Sequence, residues 1–201
     1  MDKRQTIRDE LKTRRSRHSD SECQVLSRQI CIHLQQERHF KNRQRFAFYY
    51  PVGNEVNLLD LMYRAWALRK TTFLPVLASF PKGSLWWIKH DESTPMYENR
   101  YGIPEPYHPA RSRRTKLRSL DMIFMPLVAF DARGNRMGMG GGFYDRSLSR
   151  CYRKDNQWHR PIRMGVAYSW QQVDGIPTEK WDIPLDAIAT ENGVTWFEEK
   201  K

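Results

Sequence analysis

Cysteine is scarce in this chain and follows no pattern. The three cysteines (Cys23, Cys31, Cys151) are odd in number and show no C-x-x-C spacing. That excludes a disulfide scaffold and suits free thiols in a reducing compartment. No apolar run approaches the roughly 20 residues that span a bilayer, and the opening MDKRQTIRDELK lacks the apolar core of a signal peptide. The expectation is a cytoplasmic protein with no membrane partner. The six histidines (His18, His33, His39, His90, His108, His159) form neither H-E-x-x-H nor a Cys/His ligand spacing, so no zinc site is expected. There is no G-x-S-x-G elbow and no cysteine placed like a nucleophile, which leaves acyl-enzyme chemistry without support. No internal repeat is found. The composition is not that of disorder either. Seven Trp, nine Tyr and nine Phe among 201 residues supply a real core, in one large or two small domains.

Acid is thin in two stretches. Residues 1–45 hold twelve Lys or Arg against six Asp or Glu, and Arg111 to Arg118 (RSRRTKLR) adds five basic residues with no acid. Together they account for the whole net charge of +11. Charge focused in this way suits an anionic partner, either nucleic acid or a polyanionic small molecule. The plainer reading is a solvated basic face that aids solubility.

Glycine is concentrated in one place. Arg136 to Arg146 (RMGMGGGFYDR) puts four glycines into five positions, between the apolar run Met122 to Phe130 and a helix-compatible segment from Asp145 to Tyr152. Backbone without side chains lets N–H groups converge on one point and lets a ligand approach closely. A helix that follows adds its unpaired N–H groups and the positive end of its dipole, so phosphate is the natural guest. The spacing is neither a Rossmann fingerprint, which fails at Phe143, nor a P-loop, since no Lys-Ser/Thr follows. A plain turn is the alternative. The flanking Arg136 and Arg146 favour phosphate.

Taken in order, residues 3–17 read as a basic helix carrying Arg4, Arg8, Lys12 and Arg15 on one face and Ile7 and Leu11 on another. Ser19 and Glu22 form a capping box for a second helix with the stripe Leu26, Ile30, Leu34. Arg45 to Pro51 (RFAFYYP) is a strand ended by turn residues, and Asn57 is placed to cap a helix through Leu61, Met62 and Trp66. Thr71 to Leu77 is a second strand, and Ser84 to Lys89 a third, more exposed one. The segment 91–118, with Pro95, Pro104, Pro106 and Pro109, reads as one long loop. Leu120 to Phe130 is a buried strand, Pro161 to Trp170 another, and Asp186 to Thr190 and Val194 to Phe197 are short ones. Helix alternating with strand predicts an α/β fold with a largely parallel sheet. Ligands then sit beyond the carboxyl ends of the strands, where the glycine loop and the turn from Pro51 to Asn54 both fall.

Single residues add possibilities, each with a bland counterpart. Asp145 beside a bound phosphate would need a cation, so it is a plausible Mg²⁺ contact, and equally a helix-start Asp. Asp182 would join it, and alone is a turn residue. Glu55 after the first strand would accept from a heterocycle's N–H groups, unless it is a surface carboxylate. Arg4 and Arg8 would grip phosphate oxygens, though surface arginines at i,i+4 often hold nothing specific.

The string Leu127 to Arg146 (LVAFDARGNRMGMGGGFYDR) resembles the signature region of the 5-formyltetrahydrofolate cyclo-ligase family. Further landmarks run from Arg4 to about Ala187: the N-terminal R-x-x-x-R, the Glu55 to Leu58 element with Leu58 where the family has Thr, a G-K-x-[VI]-x-x-P strand with Arg69 in place of glycine, and G-I-P-E-P after Tyr101. The resemblance implies a single domain over 1–201, a three-layer α/β/α fold that is Rossmann-like (NagB/ribose-5-phosphate isomerase/CoA-transferase-like). It implies ATP bound by Arg4, Gln5, Thr6, Ile7 and Arg8 and by Arg136, Met137, Gly138, Met139, Gly140, Gly141, Gly142, Phe143 and Tyr144. Folate falls to Tyr50, Glu55, Tyr101 and the stretch Met139 to Phe143, and Mg²⁺ to Asp145 and Asp182. The implied reaction is ATP-dependent cyclisation of 5-formyltetrahydrofolate to 5,10-methenyltetrahydrofolate. The expected partner is that small molecule, with any polyglutamate tail drawn to Arg111 to Arg118, and the chain is expected to be monomeric. A nucleic-acid-binding module and another nucleotide-dependent enzyme on the same fold are the alternatives.

Overall fold

A computed structural model describes residues 2–107, 114–149, 151 and 160–198. Arg111 to Arg113 of the basic run, His108, His159 and the end of the helix expected through Tyr152 lie outside the described residues. In chain order the elements are α1 (Lys3–Arg15), α2 (Asp20–Gln36), α3 (Arg38–Asn42), β1 (Arg45–Ala47), α4 (Leu59–Ala67), β2 (Thr71–Leu77), β3 (Leu85–His90), β4 (Met96–Glu98) and β5 (Pro104–Pro106). There follow β6 (Arg114–Thr115), β7 (Met122–Pro126), β8 (Ala129–Phe130), β9 (Arg136–Met137), α5 (Phe143–Leu148), β10 (Ile162–Val166), β11 (Ala187–Thr190) and β12 (Gly193–Trp196).

Local chemistry sets the helix limits. Asp2 caps α1 by accepting from the Arg4 N–H, and the Ser19–Glu22 capping box forms as the sequence predicts. The Asn57 side chain accepts from the Leu59 N–H at 2.9 Å, at the start of α4. Beyond α4 the Arg69 N–H bonds to Trp66 O and the Lys70 N–H to Ala65 O, a Schellman closure. That closure puts Arg69 at φ +57°, a left-handed conformation that costs an L-residue with a side chain about 1–2 kcal/mol.

Among the described residues one eight-stranded sheet has the order β12-β11-β10-β7-β1-β2-β3-β6. The five central strands, β11 to β2 in that order, are parallel, and antiparallel strands flank them. Strand period 2 divides β7 between two cores. Met122 and Phe124 pack with Ile30, Leu34 and Leu61 of α2 and α4, whereas Ile123 and Met125 pack with Phe73, Leu148 of α5 and Ile188 on the other face.

Several expectations need correction. The segment 91–118 is no uninterrupted loop, because β4 pairs with β5 and β6 pairs with β3. Pro104 and Pro106 are tolerated at the two ends of a short strand. The strand expected over 120–130 breaks after Pro126. There the Gln171 Nε2 donates to both Leu127 O and Val128 O, and the Val128 N–H turns to Met137 O of a separate hairpin. The third strand is less exposed than its sequence suggests: β6 covers its edge, leaving Trp87 and Ile88 buried. Helix α5 begins two residues before Asp145, and α3 goes unread because five residues carry no period.

Candidate active site

The carboxyl ends of β1 and β7 open into a cavity of about 1200 Å³, the place where open parallel sheets bind ligands. Helix α1 forms one wall. Arg4, Arg8 and Arg15 recur at the spacing of a single helix face. Leu11 is buried with Val128, Met137 and Ile176, while the three arginines line the cavity. Arg4 Nη1 donates to Asp182 Oδ2 at 2.7 Å, Arg8 Nε to Gly138 O at 3.1 Å and Arg15 Nη2 to Leu127 O at 3.2 Å. The same period turns the rest of the expected ATP run away. Gln5 bonds to Asp9 at 2.9 Å, Thr6 to Asp2 O at 3.4 Å, and Ile7 packs in the apolar cluster.

The glycine loop forms an adjoining wall, joined to α1 by Arg8, and is held from behind. Asp131, fully buried, accepts from the Arg133, Asn135 and Ile176 N–H groups and from Asn135 Nδ2, at 2.8–3.1 Å. Burial opposes its charge, but these donors outweigh it and hold its carboxyl below the ordinary range. The hairpin β8–β9 so fixed delivers Gly138 to Gly142 to the cavity. Gly142 stands at φ +60° as the residue before α5. A Cβ on Gly141 would stand 2.7 Å from the Phe143 ring. Met137 does not face the cavity and is buried in the apolar cluster.

Buried Arg136 pairs with half-buried Asp145 at 2.5 Å, and Asp145 also accepts from the Ile183 N–H at 3.0 Å. Burial lowers the Arg136 guanidinium from its ordinary value, and its Nε has no acceptor among the described residues. Asp182 pairs with Arg4 and accepts from the Glu179 N–H at 2.9 Å, so both expected metal carboxylates lie on this cavity. Among the described residues no three His, Cys, Asp or Glu side chains gather as a metal cage.

Tyr50, Glu55 and Tyr144 line the cavity together. Glu55 Oε2 accepts from the Val52 N–H at 3.1 Å, and its Oε1 lies 4.0 Å from Arg15. Burial raises the Glu55 carboxyl above its ordinary value, with the Val52 N–H and Arg15 acting in the opposite sense. Burial also raises the Tyr49 and Tyr144 hydroxyls, and the nearby Glu55 adds to it. Tyr101 stands half-exposed at the tip of the β4–β5 hairpin, edge-on to Phe143 with ring centroids 6.4 Å apart. Glu105 pins that hairpin, accepting from the Leu77 N–H, Asn99 Nδ2 and Tyr97 OH. The glutamate of G-I-P-E-P is thus a buried strut that positions Tyr101.

Sequence reasoning missed four residues that shape the site: Arg15, Asp131, Glu105 and Gln171. Arg15 was findable from its helical register with Arg4 and Arg8. For Gln171 no local pattern signals that its amide reaches Leu127 and Val128. Arg4, Arg8, Arg15, Arg136 and Arg146 face Asp2, Glu55, Glu105, Asp145, Glu179 and Asp182 around the cavity, five arginines against six acids for a formal balance of −1.

The 5-formyltetrahydrofolate cyclo-ligase family model matches residues 1–191. A Haemophilus influenzae 5-formyltetrahydrofolate cyclo-ligase is 38% identical over 186 residues, covering 91% of this chain and 95% of the relative. The solved structure of Aquifex aeolicus 5,10-methenyltetrahydrofolate synthetase superimposes with a TM-score of 0.81 at 29% identity, over 98% of this chain and 94% of that one. A synthetase structure from Mycoplasma pneumoniae, 23% identical over 95% of this chain and 99% of its own, shares the fold with a TM-score of 0.72. These matches favour neither the nucleic-acid module nor a different nucleotide enzyme. A glycine loop and Glu55 on one cavity, within a chain matched almost end to end, lead to one conclusion: the chain belongs to the 5-formyltetrahydrofolate cyclo-ligase family.

Proposed function

We propose that this chain converts 5-formyltetrahydrofolate and ATP into 5,10-methenyltetrahydrofolate, ADP and phosphate. One observation carries the reading: the glycine loop and Glu55 line the same cavity, whose roughly 1200 Å³ accommodates two substrates side by side. A formamide oxygen leaves poorly as such. Its attack on the γ-phosphorus expels ADP and turns it into an imino-phosphate. N10 then bonds to the formyl carbon, the C–O bond breaks, and phosphate departs with the former formyl oxygen. N10 gives its proton to phosphate or solvent. Such chemistry asks for positioning and charge neutralisation rather than a side-chain nucleophile.

Arg4, Arg8, Arg136 and the backbone of Gly138 to Gly142 hold the phosphates in this reading. The buried, unpartnered Arg136 Nε is a donor with capacity for an anionic oxygen. Tyr50, Glu55 and Tyr101 hold the folate, with the Glu55 carboxylate accepting from pterin N–H groups. Mg²⁺ characteristically rests on one or two carboxylates plus phosphate oxygens. Asp145 and Asp182 fit that role, and the ion would neutralise charge on the transferring phosphoryl group. The chain acts as a monomeric single domain in the cytoplasm, in keeping with free cysteines and with no described helix long and apolar enough to cross a membrane. A polyglutamate tail would meet the basic run ending at Arg118.

The test is an absorbance assay for methenyltetrahydrofolate. Product is expected from 5-formyltetrahydrofolate only when ATP and Mg²⁺ are both supplied. Turnover without ATP, or none with both, removes the proposal.

A further inference from the structure

Arg146 closes the glycine-rich string, and as a cation beside the loop its evident partner is phosphate. The structure directs it elsewhere. Its Nε donates to Gly83 O at 2.8 Å, its Nη2 donates to Gly141 O, and the guanidinium lies 5.7 Å from the centre of the Phe143 ring. Gly83 belongs to the turn between β2 and β3, and Gly141 to the glycine loop. One side chain therefore ties two segments that are distant in sequence.

Two glycines leave room for this. Gly83 has φ +79° and Gly142 φ +60°, and a Cβ built on either would stand 2.7 Å from the Arg146 guanidinium. A second tie runs alongside: Ser147 Oγ accepts from the Leu85 N–H at 2.7 Å and donates to Phe143 O at 2.6 Å. Consecutive residues of α5 thus grip the start of β3 and the end of the glycine loop together. Hydrogen bonds from a guanidinium are stronger than those between neutral groups, and they act here on backbone that glycine leaves loose.

We propose that Arg146 is a positioning residue that straps the nucleotide loop to the β2–β3 turn and sets the loop's shape before ATP arrives. Its effect on ATP rests on the function proposed above. Its effect on the free protein does not. A loop ordered in advance loses less freedom on binding, so the strap raises affinity without touching the ligand.

The test combines hydrogen exchange on the ligand-free protein with ATP titration, for the wild type, Arg146→Met, Arg146→Lys and Gly83→Ala. Arg146→Met is expected to speed exchange at 138–142 and at 78–84 together, by about tenfold, and to weaken ATP by a similar factor. Gly83→Ala, whose Cβ displaces the guanidinium, should reproduce both effects. Arg146→Lys, which can keep one carbonyl, should fall between. Normal exchange in the free Arg146→Met protein with ATP affinity lost would make Arg146 a phosphate ligand and overturn the strap. Faster exchange across the whole sheet, or wild-type exchange in Gly83→Ala, would overturn it as well. If ATP fails to bind even the wild type, the function proposed above falls while the exchange comparison still decides the strap.

Discussion

Asp131 to Asn135 and Gly138 to Gly142 are neighbours in one string, separated only by β9, and they use their backbones in opposite ways. In the first turn the Asp131 carboxyl is sealed, with no exposed surface and four donors gathered on it, while Ala132 and Arg133 stand exposed. The second lines the cavity, and what orders it comes from outside, from Arg8 on Gly138 O and Arg146 on Gly141 O. A polar turn can be folded rigidly by its own side chains. A glycine loop has none to use, so its order is borrowed from other elements.

Substitutions that break the comparison rank by which half they touch. Asp131→Ala strikes the sealed half and has the largest effect. It leaves the buried Ile176 N–H without its acceptor and removes the other hydrogen bonds that Asp131 accepts, and chemical denaturation should show a loss of about 3 kcal/mol. Gly141→Val strikes the open half. Its side chain meets the Phe143 ring, so ATP affinity should fall at least about tenfold while the denaturation midpoint moves little. A midpoint shift as large as that of Asp131→Ala would erase the distinction between the halves.

Glu55→Gln probes another part of the cavity lining and should weaken folate more than ATP in separate titrations. It also has a pH signature. Below its ordinary value of 4.5 the carboxyl is protonated in both folded and unfolded chains and contributes no difference. As pH rises through its raised folded value, the folded state comes to carry a charge that burial penalises, and stability is lost. Glu55→Gln lacks that charge, so its stability relative to wild type should climb above pH 4.5 and then level off. A flat difference across that window would mean that Glu55 is not buried as charge.

The smallest effect lies outside both halves. Arg69→Gly relieves a left-handed residue in the α4 closure at the cost of a freer unfolded chain. The net gain should be below about 1 kcal/mol, and a loss would show that the Arg69 side chain stabilises the fold.

Much of this was legible because it is local. The capping box at Ser19, the amphipathic face of α4, the strand Thr71 to Leu77 and the glycine loop each depend on residues a few positions apart. The carboxyl-edge location of the site followed from helix alternating with strand. What could not be read came from contacts between distant segments. Proline-rich 91–118 looked structureless because nothing near it announces that Glu105 will meet the Leu77 N–H. The strand through Leu120 to Phe130 looked continuous because Gln171, which holds its break, lies far along the chain.

By itself the sequence determined the class of sheet, the phosphate-suited loop and the carboxylates and arginines available to it, since spacing and composition are properties of neighbours. Tertiary structure alone decided which of those groups face one another. Helical register admitted Arg4, Arg8 and Arg15 to the cavity and turned Gln5 and Thr6 away, while long-range packing assigned Arg4 to Asp182, Arg136 to Asp145 and Arg146 to two backbone carbonyls. Pairings of that kind depend on distance in space, which a linear order of residues does not contain.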